Sequence, residues 1–268
     1  MFDSGLGGLS VVRQTQETLP LESVLYLADQ AHVPYGGRDL EQIRAFATGI
    51  SRALVAKGCK AIVMACNIST AVALPEVQIT FPHIPILGVI GPGAAIAVQQ
   101  SRNGRIGVLA TVGTVKSGAY TAALHHLDCK LQVLEVCCPA FVPLVEEGLE
   151  SSPAAEEAAR EYLAPLINMG ADTIILGCTH YPFLLKSLQL ATNDVLFIDP
   201  AHETLRQLKY ALSEANSASS NQSPSYILTT TGDPILYPEQ LKRFLPNPPA
   251  DTKIASARWR DGKLEFEY

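Results

Sequence analysis

The chain has 268 residues, 47% hydrophobic and 17% charged, with a formal net charge of −6. That apolar content excludes global disorder, and the acidic balance argues against a broad nucleic-acid or anionic-membrane surface. The length is enough for about two domains. In chain order, a glycine-rich turn, Asp3-Ser4-Gly5-Leu6-Gly7-Gly8, opens the sequence. It follows a very short apolar start that has no basic or apolar leader, so no secretory signal is expected. Short runs rich in β-branched residues follow at 24–28, 61–65, 86–90, 106–110, 173–176 and 195–198. Helix-length amphipathic stretches such as 40–57 and 152–169 lie between them. Near-continuous apolar strands alternating with helices predict an α/β protein with parallel sheets covered on both faces. After a helix at 203–215 comes a polar, flexible segment, 216–223. A strand at 226–231, a short helix at 238–244 and a terminal strand from Ile254 finish the chain, and this tail is expected to return to the first half. No unbroken apolar run reaches the roughly 18 residues of a membrane span.

An internal repeat organises these elements. Gly58-x-x-Ala61-Ile62-Val63-Met64-Ala65-Cys66-Asn67 recurs 112 residues later (66 to 178) as Gly170-x-x-Thr173-Ile174-Ile175-Leu176-Gly177-Cys178-Thr179. Val89-Ile90-Gly91-Pro92 pairs with Phe197-Ile198-Asp199-Pro200, and Asp3-Ser4-Gly5 pairs with Thr111-Val112-Gly113, both at an offset of 108 (92 to 200, 3 to 111). Three matches in one order predict two pseudo-symmetric α/β domains, 1–95 plus 205–268 and 96–204, with an active site in the cleft between them.

Of six cysteines, Cys66 and Cys178 carry the chemistry. Each ends a strand and precedes a helix start, where ligands gather in open sheets and where N–H groups lower a thiol pKa. Two thiols facing one substrate are what a two-base proton transfer needs. Cys59, Cys129, Cys137 and Cys138 read as packing residues; no CxxC occurs, and no metal is expected. His180, two residues beyond Cys178, is placed to assist it, and Thr111 with Thr114 offers hydroxyls to a carboxylate. Lysine is absent from the strand-end motifs, so a pyridoxal phosphate Schiff base has no anchor and no cofactor is expected.

At these residues the sequence resembles the glutamate racemases, cofactor-independent enzymes of the aspartate/glutamate racemase superfamily that supply D-glutamate for peptidoglycan. The matching motifs are Phe2-Asp3-Ser4-Gly5-x-Gly7-Gly8, Pro34-Tyr35-Gly36, Ala65-Cys66-Asn67, Gly88-Val89-Ile90-x-Pro92-Gly93, Ala110-Thr111-x-Gly113-Thr114, Val145-Glu146-x-Gly148, Gly177-Cys178-Thr179-His180-Tyr181-Pro182 and Thr230-Thr231-Gly232-Asp233-Pro234. The resemblance implies that Cys66 deprotonates D-glutamate and Cys178 L-glutamate, with Asp3 and His180 assisting. It implies that Ser4, Pro34, Tyr35, Gly36, Asn67, Ile68, Thr111, Thr114, Thr179 and Glu146 line the substrate. It further implies a cytoplasmic homodimer that takes glutamate and has no nucleic-acid or membrane partner. Three departures stand out: Ile68 where the family usually has threonine, Pro200 after the aspartate of the last cleft strand, and a start at Met1-Phe2 that leaves the first strand short. An aspartate racemase, another superfamily racemase, a one-thiol decarboxylase or a non-catalytic amino-acid-binding regulator are the alternatives. Retention of both thiols counts against the decarboxylase.

Overall fold

A computed structural model of the chain describes residues 1–267. In chain order the strands are β1 (Phe2–Asp3), β2 (Val24–Ala28), β3 (Ile62–Met64), β4 (Ile86–Gly88), β5 (Arg105–Ala110), β6 (Gln132–Cys137), β7 (Thr173–Gly177), β8 (Leu196–Ile198), β9 (Tyr226–Thr230), β10 (Thr252–Arg260) and β11 (Lys263–Glu267). The α-helices are α1 (Leu9–Thr18), α2 (Leu40–Ala56), α3 (Asn67–Thr80), α4 (Ile90–Gln100), α5 (Val112–Ser117), α6 (Ala119–Leu127), α7 (Phe141–Glu146), α8 (Pro153–Met169), α9 (Leu185–Ala191), α10 (Pro200–Glu214) and α11 (Tyr237–Phe244). The chain forms two compact units: Met1–Val89 with the chain from Thr204 onward, and Ile90–Glu203.

The first unit holds a seven-stranded sheet ordered β11-β10-β9-β2-β1-β3-β4. All its pairings are parallel except β10 with β11. The second holds a four-stranded parallel sheet ordered β6-β5-β7-β8. The four strands β2-β1-β3-β4 and β6-β5-β7-β8 share one topology, which is the physical content of the sequence repeat. Gly58 and Gly170, which lead into β3 and β7, both take left-handed backbone, at φ 78° and 77°.

Local sequence accounts for the helices. Asp39 caps α2, its carboxylate accepting from the Glu41 N–H at 2.9 Å, and Ile43, Ala47, Ile50 and Leu54 form its buried stripe. Ser152 caps α8 in the same way, with Pro153 at the first helical position, where a missing N–H costs nothing. Pro200 does the same for α10, which begins three residues before the expected 203.

Burial decides the core of the first unit. Phe2, Leu27, Ile50, Leu54, Ile62, Met64 and Val77 pack together with Ala257 and Leu264 from the tail strands. Each large side chain buried in this cluster contributes about 2 kcal/mol, and Ala257 and Leu264 tie the tail strands into it. Although β1 is only two residues long, it lies between β2 and β3, and Phe2 is fully buried.

Two elements differ from the sequence expectation. Strand β6 was not foreseen, because it is a half-buried edge strand carrying Glu135 and lacks an apolar run. The single terminal strand is a hairpin, turned at Asp261 and Gly262, both at positive φ. The polar segment 216–223 forms neither helix nor strand, and the Ser219 N–H donates to the Glu22 carboxylate at 2.7 Å. Among the described residues no helix is long and apolar enough to cross a membrane.

Candidate active site

In the first unit, the parallel strands β2, β1 and β3 end side by side, so the residues after them share one edge. That edge carries Asp29, then Asp3 and Ser4, then Cys66. Cys66 is the residue before α3 and lies 3.8 Å from the Ser4 hydroxyl oxygen. It packs in one cluster with Tyr35, Ile43 and Ile68. Ile68, 4% exposed, packs in the same buried cluster as the thiol, and its side chain contributes apolar packing rather than a polar contact. Asn67 is buried at the first position of α3. Asp3 is buried and accepts the Gly5 N–H at 3.0 Å.

The expectation that the helix start would lower the Cys66 pKa is overturned by burial. Burial pushes the thiol up to about 11, and the Asp3 carboxylate adds in the same direction; donors from Ser69 and Ser4 pull back less strongly. Cys66 is therefore a thiol at neutral pH. Once ionised it is a stronger base than an ordinary cysteine.

Sequence reasoning missed Asp29. This carboxylate, fully buried, takes four side-chain donors. Oδ2 accepts from the Tyr35 hydroxyl at 2.6 Å and lies 2.8 Å from His32 Nδ1. Oδ1 accepts from the Thr231 hydroxyl and from Trp259 Nε1, both at 2.8 Å. Its position directly after β2 was the available signal, since strand carboxyl ends gather functional groups in such sheets. Pro34, joined to Val33 by a cis peptide bond, is exposed, while Tyr35 is buried and Gly36 half-buried. Burial raises the Tyr35 pKa first, and Asp29 beside it raises it further, so the phenol stays protonated and donates.

In the second unit, β5 and β7 end as neighbours and deliver Thr111 and Cys178 to one edge. Thr111 precedes α5, and its hydroxyl lies 3.1 Å from that of Thr114. Cys178 and Thr179 are both buried. Cys178 Sγ lies 3.8 Å from His180 Nδ1, and His180 Nε2 lies 2.6 Å from Glu146 Oε1. Burial alone would lower the His180 pKa, but hydrogen bonds with Cys178 and Glu146, and their charges, bring it to about 10. The imidazolium thus sits against the Cys178 sulfur, oriented from behind by a carboxylate, as in a Cys-His-acid relay. Glu146 is half-exposed at the end of α7. It pairs with the His180 ring.

A family model for Asp/Glu/hydantoin racemase matches residues 9–208. The chain belongs to this racemase family. It is 43% identical to the glutamate racemase of Corynebacterium diphtheriae, over 91% of this chain and 92% of that protein. Among solved structures, a glutamate racemase isoform from Bacillus anthracis superposes with a TM-score of 0.90 at 35% identity, covering 98% of this chain and 97% of that one. The glutamate racemase of Francisella tularensis, solved in complex with D-glutamate, superposes at 0.88 with 31% identity, covering 97% and 95%. The chain is accordingly an enzyme of the racemase family. Of the residues that the resemblance singled out, Asp3, Ser4, Cys66, Asn67, Thr111, Cys178 and Thr179 fall at or just beyond strand ends, whereas Pro34, Tyr35 and Gly36 lie in the loop after β2, Thr114 lies within α5 and Glu146 ends α7. Among the described residues no group of three or more His, Cys, Asp or Glu side chains is arranged to hold a metal ion.

Proposed function

We propose that this chain interconverts L- and D-glutamate by two-base proton transfer, using Cys66 and Cys178 on opposite faces of one substrate. From L-glutamate, the Cys178 thiolate removes the α-proton. The electron pair left behind spreads into the carboxylate as an enediolate-like carbanion, and the Cys66 thiol returns a proton to the other face. From D-glutamate the roles reverse. The observation that carries this reading is the pair of cysteines at equivalent strand ends, β3 and β7, in a chain whose relatives are glutamate racemases. Their surroundings are unequal in a useful way. Cys66 is held as the thiol, pushed up to about 11, while Cys178 faces a cationic His180 that can balance a sulfur anion.

Ser4, Tyr35, Gly36, Asn67, Thr111, Thr114 and Thr179 hold the substrate carboxylates and ammonium in this reading. Asn67 and Thr111 stand at helix starts, where backbone N–H groups favour anions. Preorganised donors of this kind stabilise the carbanion, whose parent C–H is too weakly acidic for a thiolate alone. Asp3 and Glu146 support their respective thiols, Glu146 through His180. The product feeds peptidoglycan synthesis, and the enzyme acts in the cytoplasm as a homodimer built from two-domain subunits.

The test is to incubate purified protein with L- or D-glutamate in heavy water, without pyridoxal phosphate. Racemisation with one solvent deuterium taken up at the α-carbon per turnover is expected. Turnover of aspartate but not glutamate would move the substrate assignment. Saturable binding without exchange would end the catalytic reading.

A further inference from the structure

The buried Asp29 carboxylate joins two parts of the chain. Its Oδ2 faces the Tyr35 loop, and its Oδ1 is held only by tail donors among the hydrogen bonds described above. Trp259, the one tryptophan in the sequence, donates from β10 across 230 residues of chain. Thr231, just after β9, donates to the same oxygen from 202 residues away. A buried carboxylate is costly unless its lone pairs are satisfied, and two donors on one oxygen fix the carboxylate plane. Fixing that plane fixes where Oδ2 points, and hence where the Tyr35 hydroxyl must lie.

The indole site is built rather than incidental. The Trp259 ring meets His32 edge-on at 5.3 Å and tilts against Phe46 at 5.8 Å, while His32 stacks on Phe46 at 3.8 Å. Gly49 in α2 makes room for it: a Cβ there would sit 2.9 Å from the ring. The tail grips the same turn elsewhere. The Ala31 N–H donates to the Thr231 hydroxyl at 3.0 Å, and the Thr230 hydroxyl donates to Gln30 Oε1 at 2.6 Å. Trp259 and Thr231 lie beyond residue 208, where the match to the family model ends; Thr231 stands in one of the motifs that carry the resemblance, and the resemblance gives neither residue a role.

We propose that Trp259, with Thr231, is a positioning residue for the substrate site: through Asp29 it sets the Tyr35-Gly36 loop. This rests on the reading that the loop holds glutamate.

The test is steady-state racemisation by the full-length protein, with thermal melting of each variant. Trp259→Phe keeps an aromatic ring against His32 and Phe46 but removes the N–H. It is expected to raise KM for glutamate about three- to tenfold with kcat within about twofold, the split that lost ground-state positioning produces. Thr231→Val should act in the same direction, and Thr231→Ser, which keeps the hydroxyl, should restore KM. Wild-type KM in both Trp259→Phe and Thr231→Val would overturn the proposal. So would a loss of rate that simply follows the unfolded fraction in the melts. Should Trp259→Phe not fold, the Thr231→Val and Thr231→Ser pair decides. Tyr35→Phe separates the two layers. If it leaves KM unchanged, the substrate-loop reading fails and takes the proposal with it; if it raises KM while the tail variants do not, only the tail link is wrong.

Discussion

At the scale of single residues, the two thiols differ because their neighbours differ. Cys66 is surrounded by Ile68, Tyr35 and Ile43 and faces the Asp3 charge; Cys178 faces a cationic imidazole. Loss of either removes one of the two bases, so Cys66→Ala and Cys178→Ala should each lower racemisation by about 10²- to 10⁴-fold or more, measured polarimetrically from each enantiomer. A wild-type rate in both directions from either variant would sink the two-thiol scheme. The cysteines were legible in the sequence because a duplicated strand end marks them. The direction of the Cys66 pKa was not, because it depends on how completely Ile68 and Tyr35 exclude water, and such packing is a property of the assembled unit. Asp29 stayed hidden for a related reason: its four side-chain donors come from residues as distant as Trp259. A lone aspartate after a strand looks like an ordinary loop residue.

At the scale of elements, the strands that had to be recognised by apolar runs were recognised, and the one that lacks such a run was not. β6 is half-buried along its length and spends Glu135 on the Thr121 N–H and hydroxyl, at 2.9 and 2.6 Å. Its alternation is too weak to separate from a loop. The β10–β11 hairpin had a readable signal in Asp261-Gly262, a pair suited to a two-residue turn that needs positive φ at both positions. Gly262 sits at φ 72°, where any side chain is strained. Gly262→Ala should therefore destabilise the protein by about 1–2 kcal/mol, read from urea unfolding. Because Trp259 lies next to this turn, paired with Leu264, the same variant checks how firmly the hairpin is seated. No change in the unfolding midpoint would show that the turn is not under the conformational demand inferred for it.

For the molecule as a whole, stability should fall on the alkaline side. His180 is raised to about 10 in the folded chain from an ordinary value near 6.5. A group whose folded pKa is raised stabilises the fold fully below its unfolded pKa, and that contribution is lost as pH rises through the folded value. The window is thus about pH 6.5 to 10, and the melting temperature should decline across it. Glu146→Gln removes one of the partners holding the proton and should flatten that decline, as thermal scans at stepped pH would show. An equal alkaline slope in variant and wild type would remove His180 from the account. The repeat made the two-part plan readable from sequence, since strand order β2-β1-β3-β4 and strand order β6-β5-β7-β8 follow one pattern. The place of the tail within the first sheet was less readable, because no local pattern specifies a partner some two hundred positions away.

That placement of β9 beside β2 has a consequence for synthesis. As the chain leaves the ribosome, every strand of the second sheet is available before β9 exists. The second unit can close early, whereas β2 must wait with an open edge of unpaired N–H and C=O groups. Until residues 226–230 emerge to cover it, the nascent first unit presents a ready template for any extended segment, and its own late strand must outcompete them. Chaperone dependence should therefore be confined to this interval of translation.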